Sequence, residues 1–177
     1  LGVGGYCLTK DPYFAKFSSS NYLSKKINFP FVDLTMKINS KMHHRSILLI
    51  KKAIKKKNIK KILVVGISYT QDVNDLRNSR AVDILKFLEK ENNEVSVLDT
   101  TVKQSHILNS KILNKCPKLK NFDLVVLINK NHGTKISFTS LKKKTCIIDL
   151  NNFLEETDLK IIKKKTNDIF ILGRGDI

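Results

Sequence analysis

The sequence is short of acidic residues, of arginine and of long apolar runs, and each shortage narrows what the chain can be. Against 33 Lys plus Arg stand only 16 Asp plus Glu, a formal charge of +17 over 177 residues. That imbalance invites a nucleic-acid reading, yet only four of the basic residues are arginine (Arg45, Arg77, Arg80, Arg174). Base and duplex recognition draws on the bidentate arginine fork, and single-strand binding on aromatics set among the basic residues. Here the lysines run together, as in KKAIKKKNIKK and LKKKT, with few aromatics between them. Solvated lysine faces account for them, and a general attraction for anionic ligands is left over. No apolar run approaches the roughly 18 residues of a membrane-spanning helix; ILVVGI and DLVVLI are strand-length pieces. Neither nucleic acid nor a membrane is therefore expected as a partner. The opening residues lack the basic-then-apolar layout of a signal peptide. Three cysteines (Cys7, Cys116, Cys146) at unrelated spacings argue against a disulfide framework and fit a reducing, cytoplasmic setting.

What is present is globular composition, with 41% hydrophobic and 28% charged residues, over a length that suits one domain or one domain plus part of another. The chain reads in two parts. A glycine-rich opening, LGVGGYCLTKDPYF, runs into a helix that the pattern starts near Pro12 and ends by the serines at 18–20. From Pro30 a long helix follows, with Phe31, Leu34, Ile38, Met42, Leu49 and Ala53 making one apolar stripe. After Asn58 short apolar runs take over. Strands are expected at Ile62 to Gly66, Glu94 to Leu98, Asp123 to Asn129, Thr145 to Asp149 and Asp168 to Leu172, with a helix capped by Ser79 after the first. This rhythm predicts an α/β fold, a Rossmann-like parallel sheet with flanking helices. The boundary is placed at residue 58, giving a helical part over 1–57 and the sheet domain over 58–177.

In such a sheet ligands collect beyond the carboxyl ends of the strands. The loop from Ile67 to Asn78 is long for a strand-to-helix connection and delivers Arg77 beside a helix start, where a phosphate would suit it. The alternative is that Arg77 pairs with Asp72 or Asp75 and pins the loop. No G-x-G-x-x-G fingerprint follows the first strand, so the fold by itself does not make this an NAD site. In the opening segment the glycines lie beside Cys7, and Asp11 follows four residues later, about one turn on if the segment is helical. A thiolate with a carboxylate to handle water is a covalent-catalysis pair, which Lys10 would help to ionise; the alternative is a small buried hydrophobe. Cys146, inside a strand, fits that alternative. Cys116 before Pro117 reads as a loop residue. His43 and His44 are about 100° apart on a helix and ill placed to share a metal, His106 and His132 show no ligand spacing, and Glu155, Glu156 and Asp158 read as a solvated turn. No metal site is expected.

Two separated segments resemble one family. GVGGYCLTKDPYF is similar to the catalytic-cysteine motif of the nucleotide-sugar 6-dehydrogenases, the UDP-glucose/GDP-mannose dehydrogenase family. ILVVGISYTQDVNDLRNSRAVDILKFLEKENNEVSVLD resembles the opening of that family's C-terminal UDP-binding domain. Their order and the long helix between them fit as well, so the likeness spans essentially the whole chain. The continuation Asp11-Pro12-Tyr13 leans toward the UDP-N-acetylhexosamine branch. The resemblance implies oxidation of a UDP-sugar C6 alcohol to a carboxylate with two NAD molecules in turn, in the setting of polysaccharide biosynthesis. It implies that Cys7 traps the aldehyde as a thiohemiacetal, later a thioester, and that Asp11 organises the hydrolytic water. Gly2, Val3 and Gly4 would lie along the nucleotide sugar, Tyr69 and Thr70 at the substrate, and Arg77 at the NAD. The helix over 30–57 would form a homodimer interface.

Three departures accompany it. Thr70 stands where the family usually has Lys, and Asn151 and Asn152 stand where many members have Arg, losses that weaken substrate binding or mark a divergent substrate. The family's N-terminal NAD-binding domain has no counterpart in these residues. The expectation is a C-terminal portion of a longer enzyme, inactive alone, and the alternative is a non-catalytic nucleotide-sugar binding module.

Overall fold

Short β-branched runs bounded by polar residues form the strands, and they assemble into one seven-stranded sheet. The computed structural model describes residues 1–24, 27–91 and 93–173. The strands are β1 (Lys61–Val65), β2 (Glu94–Leu98), β3 (His106–Ile107), β4 (Ser110–Leu113), β5 (Leu124–Leu127), β6 (Cys146–Asp149) and β7 (Ile169–Ile171), in the order β3-β4-β2-β1-β5-β6-β7. Neighbours run parallel except β3 and β4. Residues 62–65, 124–127 and 146–149 are buried along their whole length, as continuous apolar runs are when both faces of a parallel sheet are covered. The helices are α1 (Cys7–Lys10), α2 (Pro12–Tyr22), α3 (Pro30–Lys57), α4 (Arg80–Lys90) and α5 (Glu156–Lys163).

Alternate side chains of each strand enter opposite cores. Ile62 and Val64 pack with Ile50 and Ala53 of α3 and with Ile84, Leu85 and Leu88 of α4. Leu63 and Val65 face Leu159 and Ile162 of α5 and the single 3-10 turns at Leu119–Asn121 and Phe138–Ser140. Each fully buried Leu or Ile contributes roughly 1.5–3 kcal/mol. The C-terminal half of α3 is thus part of the sheet's core, and Asn58 ends it in the left-handed conformation, φ +49°. Its N-terminal half is not covered: Phe31 is 78% exposed, and Leu34 and Ile38 are exposed as well.

The expected architecture holds, with two differences. Among the described residues only α4 and α5 sit between successive strands of the sheet; β2 passes to β4 through the short antiparallel β3, and the next two crossings hold 3-10 turns. Those stretches contain no apolar stripe long enough for a helix. Second, α2 continues past the serines to Tyr22, because Ser19 is buried and accepts the Ile27 N–H at 2.9 Å.

Candidate functional site

The chain leaves β1 to build β2 and β4 on one side and returns to build β5, β6 and β7 on the other. The crevice outside the carboxyl ends of β1 and β5 is therefore the topological switch point, the place where open parallel sheets bind ligands. It has a volume of about 400 Å³ and is lined by Thr70, Gln71, Asn129, Lys130, Asn151 and Asn152, with Ile128, Phe153 and Glu155 completing it. Lys130 Nζ donates to Glu155 Oε1 at 2.5 Å and lies 5.6 Å from the centroid of the Phe153 ring. The bond from Lys130 and its charge hold the Glu155 carboxyl below its ordinary range. Glu155 is also the N-cap of α5, in a capping box with Asp158, so the acidic cluster expected as a solvated turn is instead the start of a helix.

A hydrogen-bonded network ties together loops that border the crevice. Asp99, fully buried at the end of β2, accepts from Ile67 N–H at 2.9 Å, from Thr101 N–H at 3.0 Å and Oγ1 at 2.7 Å, and from Asn131 Nδ2 at 2.8 Å. Asn131 in turn accepts the Asp72 N–H at 2.9 Å, and Asp72 accepts from the His132 backbone N–H at 2.7 Å and contacts the His132 ring. The backbone bond from His132 is the main cause of Asp72's lowered pKa. With its oxygens engaged in this way, Asp99 is a girder between the loops after β1, β2 and β5.

The opening segment meets the β1–α4 loop. A Cβ on Gly4 would stand 2.7 Å from the Asn78 carbonyl, and one on Gly5 would stand 2.8 Å from the Tyr69 ring, with Gly5 at φ +81°. Asn78 Nδ2 donates to Thr9 Oγ1 at 3.1 Å and to the Gly5 carbonyl at 3.4 Å. Gly2 rests on Met42 and Asn39 of α3. Asn39 grips Val3 from both sides, accepting its N–H at 2.7 Å and donating to its carbonyl at 2.9 Å. The glycines are thus required by the protein's own packing as much as by any ligand.

On this support Cys7 begins α1 and is exposed, unlike Cys146, which is buried in β6, and Cys116, half-buried with its thiol pushed up by burial. The segment is helical where Cys7 and Asp11 sit: Asp11 N–H donates to the Cys7 carbonyl at 2.8 Å. Asp11 pairs with Lys10 at 3.4 Å, and Lys10 Nζ also lies over the Tyr6 and Phe14 rings, 4.7 and 4.6 Å from their centroids. Arg77 chooses Asp75 over Asp72: Nε and one terminal nitrogen donate to its carboxylate at 2.8–3.1 Å. This lowers the Asp75 pKa and raises that of Arg77. The guanidinium also lies 5.3 Å from the Tyr6 ring centroid, over the cysteine segment. It lines a cleft of about 590 Å³ with Asn74, Asp75, Leu76 and Gln104. Tyr69 is half-buried beneath Gly5, while Thr70 next to it faces the crevice.

Sequence reasoning missed Lys130, Asn131 and Asn39. Lys130 stands just past the end of β5, and the switch-point rule applied to every strand end would have found it. Asn39 and Asn131 carry no local signal, because their partners lie 36 and 32 residues away. His43 and His44 bring their rings within 4.3 Å of each other despite their helical offset. Among the described residues no group of three or more His, Cys, Asp or Glu is placed to hold a metal ion.

The model of the UDP binding domain of the UDP-glucose/GDP-mannose dehydrogenase family matches residues 63–156. The chain belongs to that family. Family members of known name extend the match over the rest of it. A UDP-N-acetyl-D-mannosamine dehydrogenase from Pyrococcus horikoshii is 28% identical over 185 residues, covering 100% of this chain and 40% of that protein. One from Campylobacter jejuni is 33% identical over 127 residues, covering 71% of this chain and 28% of that protein. A solved structure of the UDP-D-ManNAc dehydrogenase from P. horikoshii superposes with a TM-score of 0.68 at 26% identity, over 99% of this chain and 40% of that one. The chain therefore spans less than half the length of these family relatives. The helical opening and the sheet both lie within the superposed part, so the family likeness expected from the two motifs holds across both.

Proposed function

We propose that this chain supplies the cysteine segment and the UDP-binding domain of an NAD-dependent nucleotide-sugar 6-dehydrogenase acting on a UDP-N-acetylhexosamine. The observation that carries the reading is the meeting of two motifs some sixty residues apart: the glycines beside Cys7 seat on Tyr69 and Asn78, so an exposed thiol stands next to the sheet's ligand-binding end. The names of the relatives supply the sugar class.

In this reading the nucleotide lies against Gly2, Val3 and Gly4 and reaches Tyr69 and Thr70, which puts the sugar C6 at Cys7. The C6 alcohol is first oxidised to an aldehyde; the Cys7 thiolate then adds to the aldehyde carbon, the carbonyl oxygen taking up a proton, to give a thiohemiacetal. Oxidation converts this to a thioester. A water that loses its proton to Asp11 attacks the thioester carbon and expels the thiolate, leaving the carboxylate. NAD, when bound, takes up the hydride in each oxidation. Of this chain's residues Arg77 fits it best: its second terminal nitrogen has no hydrogen-bond partner among the described residues and suits a phosphate oxygen, whereas Asp99 is fully buried and already bonded to Ile67, Thr101 and Asn131. The exposed stripe of Phe31, Leu34 and Ile38 supports a homodimer through α3.

In the full-length gene product, Cys7→Ser abolishes formation of the uronic acid from a UDP-N-acetylhexosamine with NAD; normal acid production by that variant would end the covalent mechanism. A second reading, a non-catalytic nucleotide-sugar binding module, draws on the neutral Thr70, Asn151 and Asn152 in the crevice. It is distinguished by UDP-sugar binding without NADH formation in that same gene product.

A further inference from the structure

We propose that Lys130 is the phosphate-binding cation of the switch-point crevice and that Glu155 occupies it in the unliganded protein, so that a nucleoside diphosphate binds by displacing a carboxylate. The inference deepens the substrate assignment above and rests on it. Thr70, Gln71, Asn129, Asn151 and Asn152 line the crevice with neutral amides and a hydroxyl, and Lys130 is the cation among the described lining residues. A diphosphate carries more negative charge than amides alone can balance, and a desolvated phosphate is favoured by a charge-assisted partner.

The placement of Lys130 suits that task. Its backbone is pinned on both sides: Asn129 Nδ2 donates to the Ser68 carbonyl at 2.5 Å, and Asn131 is bonded to Asp99 at 2.8 Å. The ammonium is therefore delivered from a fixed root, while the side chain itself stays 41% exposed and free to change partner. Its partner Glu155 is more exposed still. An ion pair this open to water is weakly held and exchangeable. Glu155 also accepts the N3 backbone N–H of α5, so its carboxylate sits where a cation and the positive end of a helix converge. A phosphate oxygen taking that position keeps the Lys130 partnership and releases a carboxylate to solvent. The basic residues absent at positions 70 and 151 are thereby replaced from a different strand end.

The test is titration of the full-length gene product with UDP and with uridine, by calorimetry, for the wild type, Lys130→Gln, Glu155→Gln and the double variant. Gln at 155 keeps an acceptor for the helix cap, and circular dichroism confirms that each variant is folded. Lys130→Gln weakens UDP by at least about tenfold, the span of one charge-assisted hydrogen bond, and leaves uridine unchanged. Glu155→Gln tightens UDP several-fold, and the double variant binds no more tightly than Lys130→Gln alone. UDP binding by the wild type that Lys130→Gln leaves intact, or UDP weakened by Glu155→Gln, overturns this inference and spares the UDP-site assignment. No UDP binding by the wild type at millimolar ligand overturns both.

Discussion

Gly66 shows how one missing Cβ shapes the ligand end of the sheet. It stands at φ +79° directly after β1, and an added Cβ would lie 2.4 Å from the Asn129 carbonyl oxygen. That contact lets the loop after β1 and the loop after β5 close around one crevice. Gly66→Ala combines left-handed strain with a backbone collision and is expected to cost about 3 kcal/mol or more; urea unfolding measures it, and a loss under about 1 kcal/mol would show that the two loops are not tightly packed. Gly66 was legible in the sequence as the end of an apolar run. Cys7, Asp11, Tyr69 and Arg77 were singled out from their motifs, and the structure brings the segments that carry them together. Asp99 was not, since a single acid at a strand end reads the same whether it waits for a ribose or is filled by Ile67, Thr101 and Asn131.

Helix α3 was predicted from its period almost to the residue, yet its two halves live in different surroundings, which periodicity cannot show. Where it crosses α4 it buries polar atoms: His43 Nδ1, Ser46 Oγ and Arg80 Nε lack hydrogen-bond partners among the described residues, and Ser46 is 0% exposed. Burial lowers the His43 pKa, with Asp83 opposing and His44 and Arg80 reinforcing. The sign follows from which state binds more protons. The unfolded chain protonates near the ordinary value of 6.5, before the folded one does, so this contribution is complete above that pH and is lost as the pH falls below it. Urea midpoints taken from pH 7.5 down to 5 should therefore decline in the wild type and decline less in His43→Gln; identical slopes would show that the seam does not sense protons. Among the strands, β3 and β4 went unread because neither His-Ile nor Ser-Lys-Ile-Leu is long enough to show alternation.

Taken together, the parallel architecture and the switch-point end were legible, whereas the strand order and the crevice lining emerged only from tertiary contacts. The charge of +17 makes the protein sensitive on the acid side. Asp72, Asp75 and Glu155 are all held below their ordinary values of 3.8, 3.8 and 4.5 by His132, Arg77 and Lys130. Being lowered, they stabilise the fold above those values and release that stability as the pH falls through the lower folded ones, while the uncompensated positive charge grows. Stability between pH 4.5 and 2.5 should fall and recover in part with added salt, read as thermal midpoints at low and high ionic strength; a salt-insensitive fall would exclude charge repulsion as the cause. One clasp ties these levels together. Because Asn39 holds the backbone of Val3 by two bonds and Met42 supports Gly2, the segment that carries Cys7 rides on the long helix like a blade on its handle. Were a second subunit to grasp the bare half of that handle, it would set the angle at which the Cys7 sulfur is presented.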